Sequence, residues 1–293
     1  MENIKITDNL TFSRIIQGFW RLEDWNMNIN ELDYFMNSCI DRGVNVFDTA
    51  EIYSDTNCEK IMGDVFKNNQ NIRKNIKLVT KTGIFKKDGF GYYDTSYKRV
   101  IQSCKESLKR LNTDYIDLYL IHREDPCIDH YETARALKDL KKEGLVREVG
   151  VSNFDPFKFD ALNHAMDGQL VTNQIEVSPI CFEHFSSGMI DFLQKHKIKP
   201  MVWSPLAGGK IFSSNEEKYK KVLEKINVLA EKYSTTASTI IYAWILYHPV
   251  KFMPINGSGK LERLDMAIKA LEIKLEHYEW YQIYCASGDM VLR

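Results

Sequence analysis

The chain has 293 residues, of which 44% are hydrophobic and 27% charged, and a formal net charge of −1. That share of apolar residues supports a sizeable core, and near-neutrality excludes an electrostatic grip on nucleic acid or on an anionic membrane surface. No apolar run approaches the roughly 20 residues of a membrane span, and Met1-Glu2-Asn3-Ile4-Lys5 lacks the basic-then-apolar layout of a signal peptide.

Strand-like and helix-like segments alternate along the whole sequence. Ile15-Ile16-Gln17-Gly18 is an apolar run closed by glycine. Residues 30–42 read as a helix with Leu32, Phe35, Met36, Cys39 and Ile40 on one face, stopped by Gly43. A strand then ends at Asp48, and a helix spans about 58–68. The next strand ends at Lys81, and Tyr97, Ile101, Cys104, Leu108 and Leu111 mark one face of the helix after it.

Ile116 to Ile121 is a strand that runs into His122, followed by a helix over 131–143 that Gly144 stops. Glu148 to Val151 is the next strand, and Asp155-Pro156 opens a short helix, where a missing N–H costs little. Strands at 171–177, 200–203 and 252–255 follow, with helices near 189–196, 219–233 and 236–247 and two more to the end.

About eight strands, most followed by a helix, imply a parallel sheet closed into a (β/α)8 TIM barrel. No linker, charge block or low-complexity stretch divides residues 1–293, so one domain is expected. An open doubly wound sheet would want Gly-x-Gly-x-x-Gly after the first strand, where the chain reads Phe19-Trp20-Arg21. The six cysteines form no Cys-x-x-Cys pair and read as free thiols of a reducing compartment, which points to the cytoplasm.

The chemistry of such barrels sits at the C-terminal ends of the strands. Asp48, Lys81 and His122 fall there, and Tyr53 lies on the loop just above Asp48. Taken singly, each has an ordinary structural reading: a turn-forming aspartate, a packing tyrosine, a loop lysine, a core histidine. Together they form a proton-donating centre that needs no metal. A free phenol, with a pKa of about 10, is a poor donor at neutral pH. A neighbouring ammonium held by a carboxylate is expected to lower it. Tyr53 would then protonate a carbonyl oxygen as hydride arrives from a cofactor, with His122 orienting that oxygen.

Several segments in chain order carry a family resemblance. They are Phe47-Asp48-Thr49-Ala50-Glu51-Ile52-Tyr53, Lys81-Thr82-Gly83, Asp117 to His122, Gly150-Val151-Ser152-Asn153-Phe154, Asn173-Gln174-Ile175-Glu176, Trp203 to Gly208 and Gly257 to Arg263. The sequence resembles the aldo-keto reductases through nearly its whole length. The resemblance implies a TIM-type barrel and NADPH-linked reduction of a small carbonyl substrate. It implies Tyr53 as acid, Lys81 and Asp48 as its tuning pair, and His122 as the residue that orients the carbonyl.

Ser152, Asn153 and Gln174 offer amide and hydroxyl groups suited to a nicotinamide carboxamide, and Trp203 a flat face for the ring. Many members carry tyrosine or phenylalanine in place of Trp203. Gly18 and Trp20 match family positions beside the cofactor and the substrate mouth.

The loops after strands seven and eight are the usual phosphate site of this barrel. The first supplies Ser204, Leu206, Gly208 and Lys210; the second, Gly257, Ser258, Gly259, Lys260 and Arg263, opens a helix whose free N–H groups attract an anion. Ser258 and Arg263 resemble family residues that contact the adenosine phosphate. Gly257 stands where many members have lysine, which weakens the preference for NADPH over NADH. Trp25, Phe85, Phe90 and Tyr92 are candidates to line an apolar pocket, and Trp280, Tyr281 and Tyr284 either pack on the barrel or cap it. The alternative reading is an NADPH-binding regulatory or interaction subunit of the same fold with little turnover.

Overall fold

Eight short strands pair in parallel, each with the next in sequence, and the last pairs with the first. They are β1 (Ile16–Gly18), β2 (Val46–Asp48), β3 (Lys77–Thr82), β4 (Ile116–Ile121), β5 (Val146–Ser152), β6 (Leu170–Glu176), β7 (Met201–Trp203) and β8 (Met253–Asn256). The computed structural model describes residues 1–288. The expected barrel is present, and no helix among the described residues is long and apolar enough to cross a membrane.

Two hydrophobic clusters follow from the period-2 alternation of side chains along a strand. Outward residues such as Phe47, Leu78, Tyr119 and Ile121 join the large layer beneath the surrounding helices. Inward residues fill the lumen: Ile16, Val46, Val79, Leu118, Leu120, Met201 and Met253 pack with Ile4, Leu10 and Phe12. The last three belong to an N-terminal antiparallel hairpin, Asn3–Lys5 with Thr11–Ser13, which closes the bottom of the barrel. Its two strands have three residues each, too few to leave a periodic trace in the sequence.

Inward columns continue into polar residues at the top: Val46 to Asp48, Val79 to Lys81, Leu120 to His122, Met201 to Trp203. β6 is irregular. Val171 faces the lumen cluster and so does Gln174, a spacing of odd parity, and the register with β5 shifts between Leu170 and Asn173. One extra residue switches the face that later side chains occupy.

Side-chain caps start several of the helices. Asn28 accepts from Asn30 and Glu31 N–H while Glu31 accepts from Asn28 N–H, which starts helix Ile29–Asp41. A second hairpin, Ile84–Lys87 with Phe90–Tyr93, rises from the loop after β3. It turns at Asp88 and Gly89, both at positive φ, the Asp-Gly pair that such two-residue turns favour. Phe85 is buried in it, 5.9 Å from Tyr92 and 3.7 Å from the Arg99 guanidinium, whereas Phe90 is exposed.

The tail packs on the barrel. Helix His277–Tyr284 ties to helix Ala237–Tyr247 by reciprocal bonds, each of Trp244 and Trp280 donating its indole N–H to the other's carbonyl at 3.0 Å, with the rings stacked at 5.1 Å. His248 sits beside Phe252, Phe185 and Trp280, and burial pushes its imidazole down to about 4 against a partial pull from Asp191. The unfolded chain holds this histidine near the ordinary value of about 6.5. Its folded pKa is depressed, so the associated stability is full above about pH 6.5 and is lost as pH falls towards 4. The loss amounts to at most about 3 kcal/mol. Melting temperature is expected to fall over that range in wild type and to fall less steeply in His248→Gln. Coincident slopes would show that another group is responsible.

Candidate active site

Lys81, fully buried on β3, is the hub of the upper lumen. Its Nζ donates to Asp48 Oδ1 at 2.7 Å, to the Thr49 carbonyl at 2.8 Å and to the Tyr53 hydroxyl at 3.3 Å. Gln174 Nε2 donates to Asp48 Oδ2 at 2.8 Å, so the carboxylate is held from both sides. The Tyr53 and His122 rings meet edge to face at 5.7 Å. The structure therefore brings all four of Asp48, Tyr53, Lys81 and His122 together. Thr49, whose backbone carbonyl takes the third ammonium proton, carried no sequence signal, because a backbone acceptor leaves no trace in residue identity.

The electrostatics correct one expectation. Tyr53 is not acidified in this state: burial pushes its phenol above the ordinary value, Lys81 pulls it down and Asp48 pushes it up, and burial prevails. The ring keeps some surface at the barrel mouth, so it is crowded by protein without being sealed from solvent. Burial opposes the charge on Lys81, but Asp48 and Tyr53 outweigh it and hold the ammonium above the ordinary lysine range. Burial, and then the charges of Lys81 and Arg123, keep His122 well below the ordinary imidazole range, so it is neutral at physiological pH. Its Nδ1 is buried with no hydrogen-bond partner among the described residues.

The loop that carries Tyr53 has an unusual backbone. Ser54, Asp55 and Thr56, directly after Tyr53, all take positive φ (48°, 49° and 77°), a conformation that costs energy for residues with a side chain. Asn153 and Ser204, just past the tips of β5 and β7, also take positive φ.

Ser152, Asn153, Gln174 and Trp203 form one bonded row. Trp203 Nε1 donates to Asn153 Oδ1 at 2.9 Å; Asn153 Nδ2 donates to Ser152 Oγ and to the His122 carbonyl; Ser152 Oγ donates to the Gln174 carbonyl. The amide N–H groups of this row are engaged internally, and the oxygens of Asn153 and Gln174 keep acceptor capacity. Such a set fits a ligand carboxamide that presents N–H donors beside a flat indole.

The loop after β8 is pinned rather than free. Gln17 Nε2 and Asn256 Nδ2 both donate to the Ser258 carbonyl, and Asn256 Nδ2 also donates to Gln17 Oε1 at 2.8 Å. Gln17 and Asn256 are buried, and sequence reading passed over them because single polar residues inside apolar runs look incidental. Ser258 Oγ accepts from Lys260 N–H ahead of helix Leu261–Lys269. Lys260 and Arg263 are exposed and form no ion pair among the described residues, so both remain open to an anion. A side chain on Gly257 would meet nothing, which leaves room above that loop.

Two glycines have a packing reason for their place. A Cβ on Gly259 would lie 2.5 Å from the Trp25 ring, and one on Gly18 would lie 2.6 Å from Ile255. Trp25 thus packs under the loop, against Phe19 and Phe35, instead of lining a pocket.

Trp20 is exposed, with its ring 6.4 Å from that of Tyr53. In the loop after β7, Ser204 accepts from Ala207 N–H, Leu206 packs on the core, and Lys210 is exposed at the start of helix Lys210–Ser213. The Gly208 carbonyl accepts from Arg21, which links this loop to the one after β1. Arg123, absent from the sequence-based set, stands with its guanidinium 5.5 Å from the Trp203 ring.

Comparison with known proteins identifies the family. Residues 14–286 match the model of the Aldo/keto reductase family. The chain is 41% identical to the uncharacterized oxidoreductase YcsN of Bacillus subtilis (strain 168), covering 98% of both. It is 36% identical to a 6-dehydroglucose reductase of Agrobacterium fabrum, covering 97% of both. The crystal structure of the thermostable aldo-keto reductase Tm1743, a complex with the inhibitor epalrestat, superposes with a TM-score of 0.83 at 26% identity, covering 98% of this chain and all of the other. With its eight-stranded parallel barrel and a family match over nearly its full length, the chain belongs to the aldo/keto reductase family and is an oxidoreductase.

Proposed function

We propose that the protein reduces the carbonyl of a small aldehyde or ketone to an alcohol with NADPH, using Tyr53 as the proton donor. The observation that carries this reading is the Lys81 ammonium, which touches Asp48 Oδ1 and the Tyr53 hydroxyl at once. Because burial keeps the phenol protonated, Tyr53 holds its proton until a carbonyl oxygen takes it. Lys81 then stabilises the phenolate that remains, and Asp48 keeps Lys81 charged and in place. Neutral His122 orients the carbonyl oxygen beside Tyr53 by hydrogen bonding. Bound NADPH supplies the hydride.

Ser152, Asn153 and Gln174 would hold the nicotinamide carboxamide, and Trp203 would lie against the ring. The loops holding Ser204, Leu206, Gly208 and Lys210, and Gly257 to Arg263, would take the phosphates. Arg263 and Lys260 support the choice of NADPH, since a ribose 2′-phosphate seeks an unpaired cation. The six free cysteines support a reducing compartment such as the cytoplasm.

The test is a fluorescence titration with NADPH and NADH, followed by a carbonyl panel at saturating cofactor. A sugar-derived aldehyde goes first, given the likeness to 6-dehydroglucose reductases. NADPH is expected to bind more tightly than NADH, and Arg263→Ala to remove about tenfold of that difference, the value of one exposed charge-assisted contact. Equal affinity for the two nucleotides in both proteins would remove Arg263 from the 2′-phosphate site.

A further inference from the structure

We propose that a buried polar network on the outer face of β3, made of Glu51, Glu59, Thr80, Thr82 and Arg110, positions Tyr53 against Lys81; the inference rests on the catalytic reading above. Alternation along β3 puts Lys81 in the lumen and its neighbours Thr80 and Thr82 on the opposite face. Both hydroxyls are buried, and each donates to a glutamate: Thr82 to Glu51 Oε2 at 2.9 Å, Thr80 to Glu59 Oε1 at 2.6 Å.

Glu51 lies in the segment that carries Tyr53, and its own N–H donates to the Lys81 carbonyl at 3.1 Å. Glu59 lies in helix Asn57–Asn68, immediately beyond the left-handed stretch Ser54–Thr56. The two bonds therefore fasten the Tyr53 loop at both ends to the strand that presents Lys81. Arg110 joins them from behind, with Nε donating to Glu59 Oε2 at 2.7 Å and a terminal nitrogen 3.8 Å from Glu51 Oε1. Gly63 permits the approach, since a Cβ there would fall 1.9 Å from the Arg110 carbonyl oxygen.

Two carboxylates desolvated beside one guanidinium are a costly way to fill space, and apolar side chains would pack there more cheaply. What the network supplies is direction. The Tyr53 loop holds three consecutive residues in a strained conformation, and these contacts brace it on either side. None of the five residues belongs to the set Asp48, Tyr53, Lys81 and His122, so they act as positioning residues.

The test compares Thr82→Val, which keeps the shape and removes the hydroxyl, with Thr82→Ser, which restores it. In Thr82→Val, kcat for carbonyl reduction is expected to fall by about tenfold or more while the Kd for NADPH stays within about twofold, and Thr82→Ser is expected to recover most of the loss. Wild-type kcat in Thr82→Val overturns the proposal, as does a parallel loss of kcat, NADPH binding and melting temperature that serine does not rescue. Should Thr82→Val fail to fold, Glu51→Gln is read by the same split between kcat and Kd. Tyr53→Phe is assayed alongside: full turnover in that variant strikes down the catalytic reading itself, whereas its inactivity with an unaffected Thr82→Val strikes down only the network.

Discussion

Tyr53→Phe is expected to bind NADPH as wild type does and to lose turnover by about two to four orders of magnitude, the range of a positioned general acid. The substitution removes one oxygen atom. It leaves the edge-to-face contact with His122 and the packing on Trp20, and it spares the Ser152–Asn153–Gln174 row. The pH profile carries a second part of the same prediction. Since burial holds the phenol above its ordinary value and His122 well below its own, reduction should show no imidazole-type inflection near neutrality. It should decline only at alkaline pH, as Tyr53 loses its proton. A variant that reduces the best substrate at the wild-type rate would dismiss Tyr53 as the acid. A bell centred on pH 6 to 7 would instead assign the proton to an imidazole.

Lys81→Met has the larger effect on the molecule as a whole. Asp48 would keep its bond from Gln174 but lose the ammonium that neutralises it, in a site where both partners are buried. Removing one partner of a buried ion pair costs about 3–5 kcal/mol. Turnover should fall together with stability, since nothing then stabilises the phenolate that forms as Tyr53 gives up its proton. Combining Lys81→Met with Asp48→Asn removes the stranded charge, so the double variant should regain most of the lost stability and none of the activity. Denaturant unfolding measures the first quantity and a carbonyl assay the second. If the single and double variants unfold alike, the stranded Asp48 charge is not the source of the lost stability.

The barrel was legible because alternation of strand and helix leaves a periodic trace: the lumen cluster and the outer layer are the two faces of the same runs. Asp48, Lys81 and His122 were legible for a related reason, since each sits two residues beyond an inward apolar residue and so shares its face. Gln174 was not available by that route. Counting by twos from Val171 does not reach it, and only the irregularity in β6 turns its amide towards Asp48; its place near a strand end and its amide chemistry marked it, but not the bond to Asp48. The acidity of Tyr53 was misjudged because a sequence shows which charge is nearby but not how much protein surrounds the ring. The Asp88-Gly89 hairpin was marked in the sequence by its turn residues and passed over. The pinning of the β8 loop by Gln17 and Asn256 was hidden, because it depends on the ring closing back on its first strand.

The hairpin at the barrel floor has a consequence for access. With Phe12, Leu10 and Ile4 packed beneath Val46, Val79, Leu118 and Leu120, the lumen below Lys81 is solid. A ligand that is to meet the Lys81 ammonium has to come in over the strand tips, and the loops that rise there are its threshold.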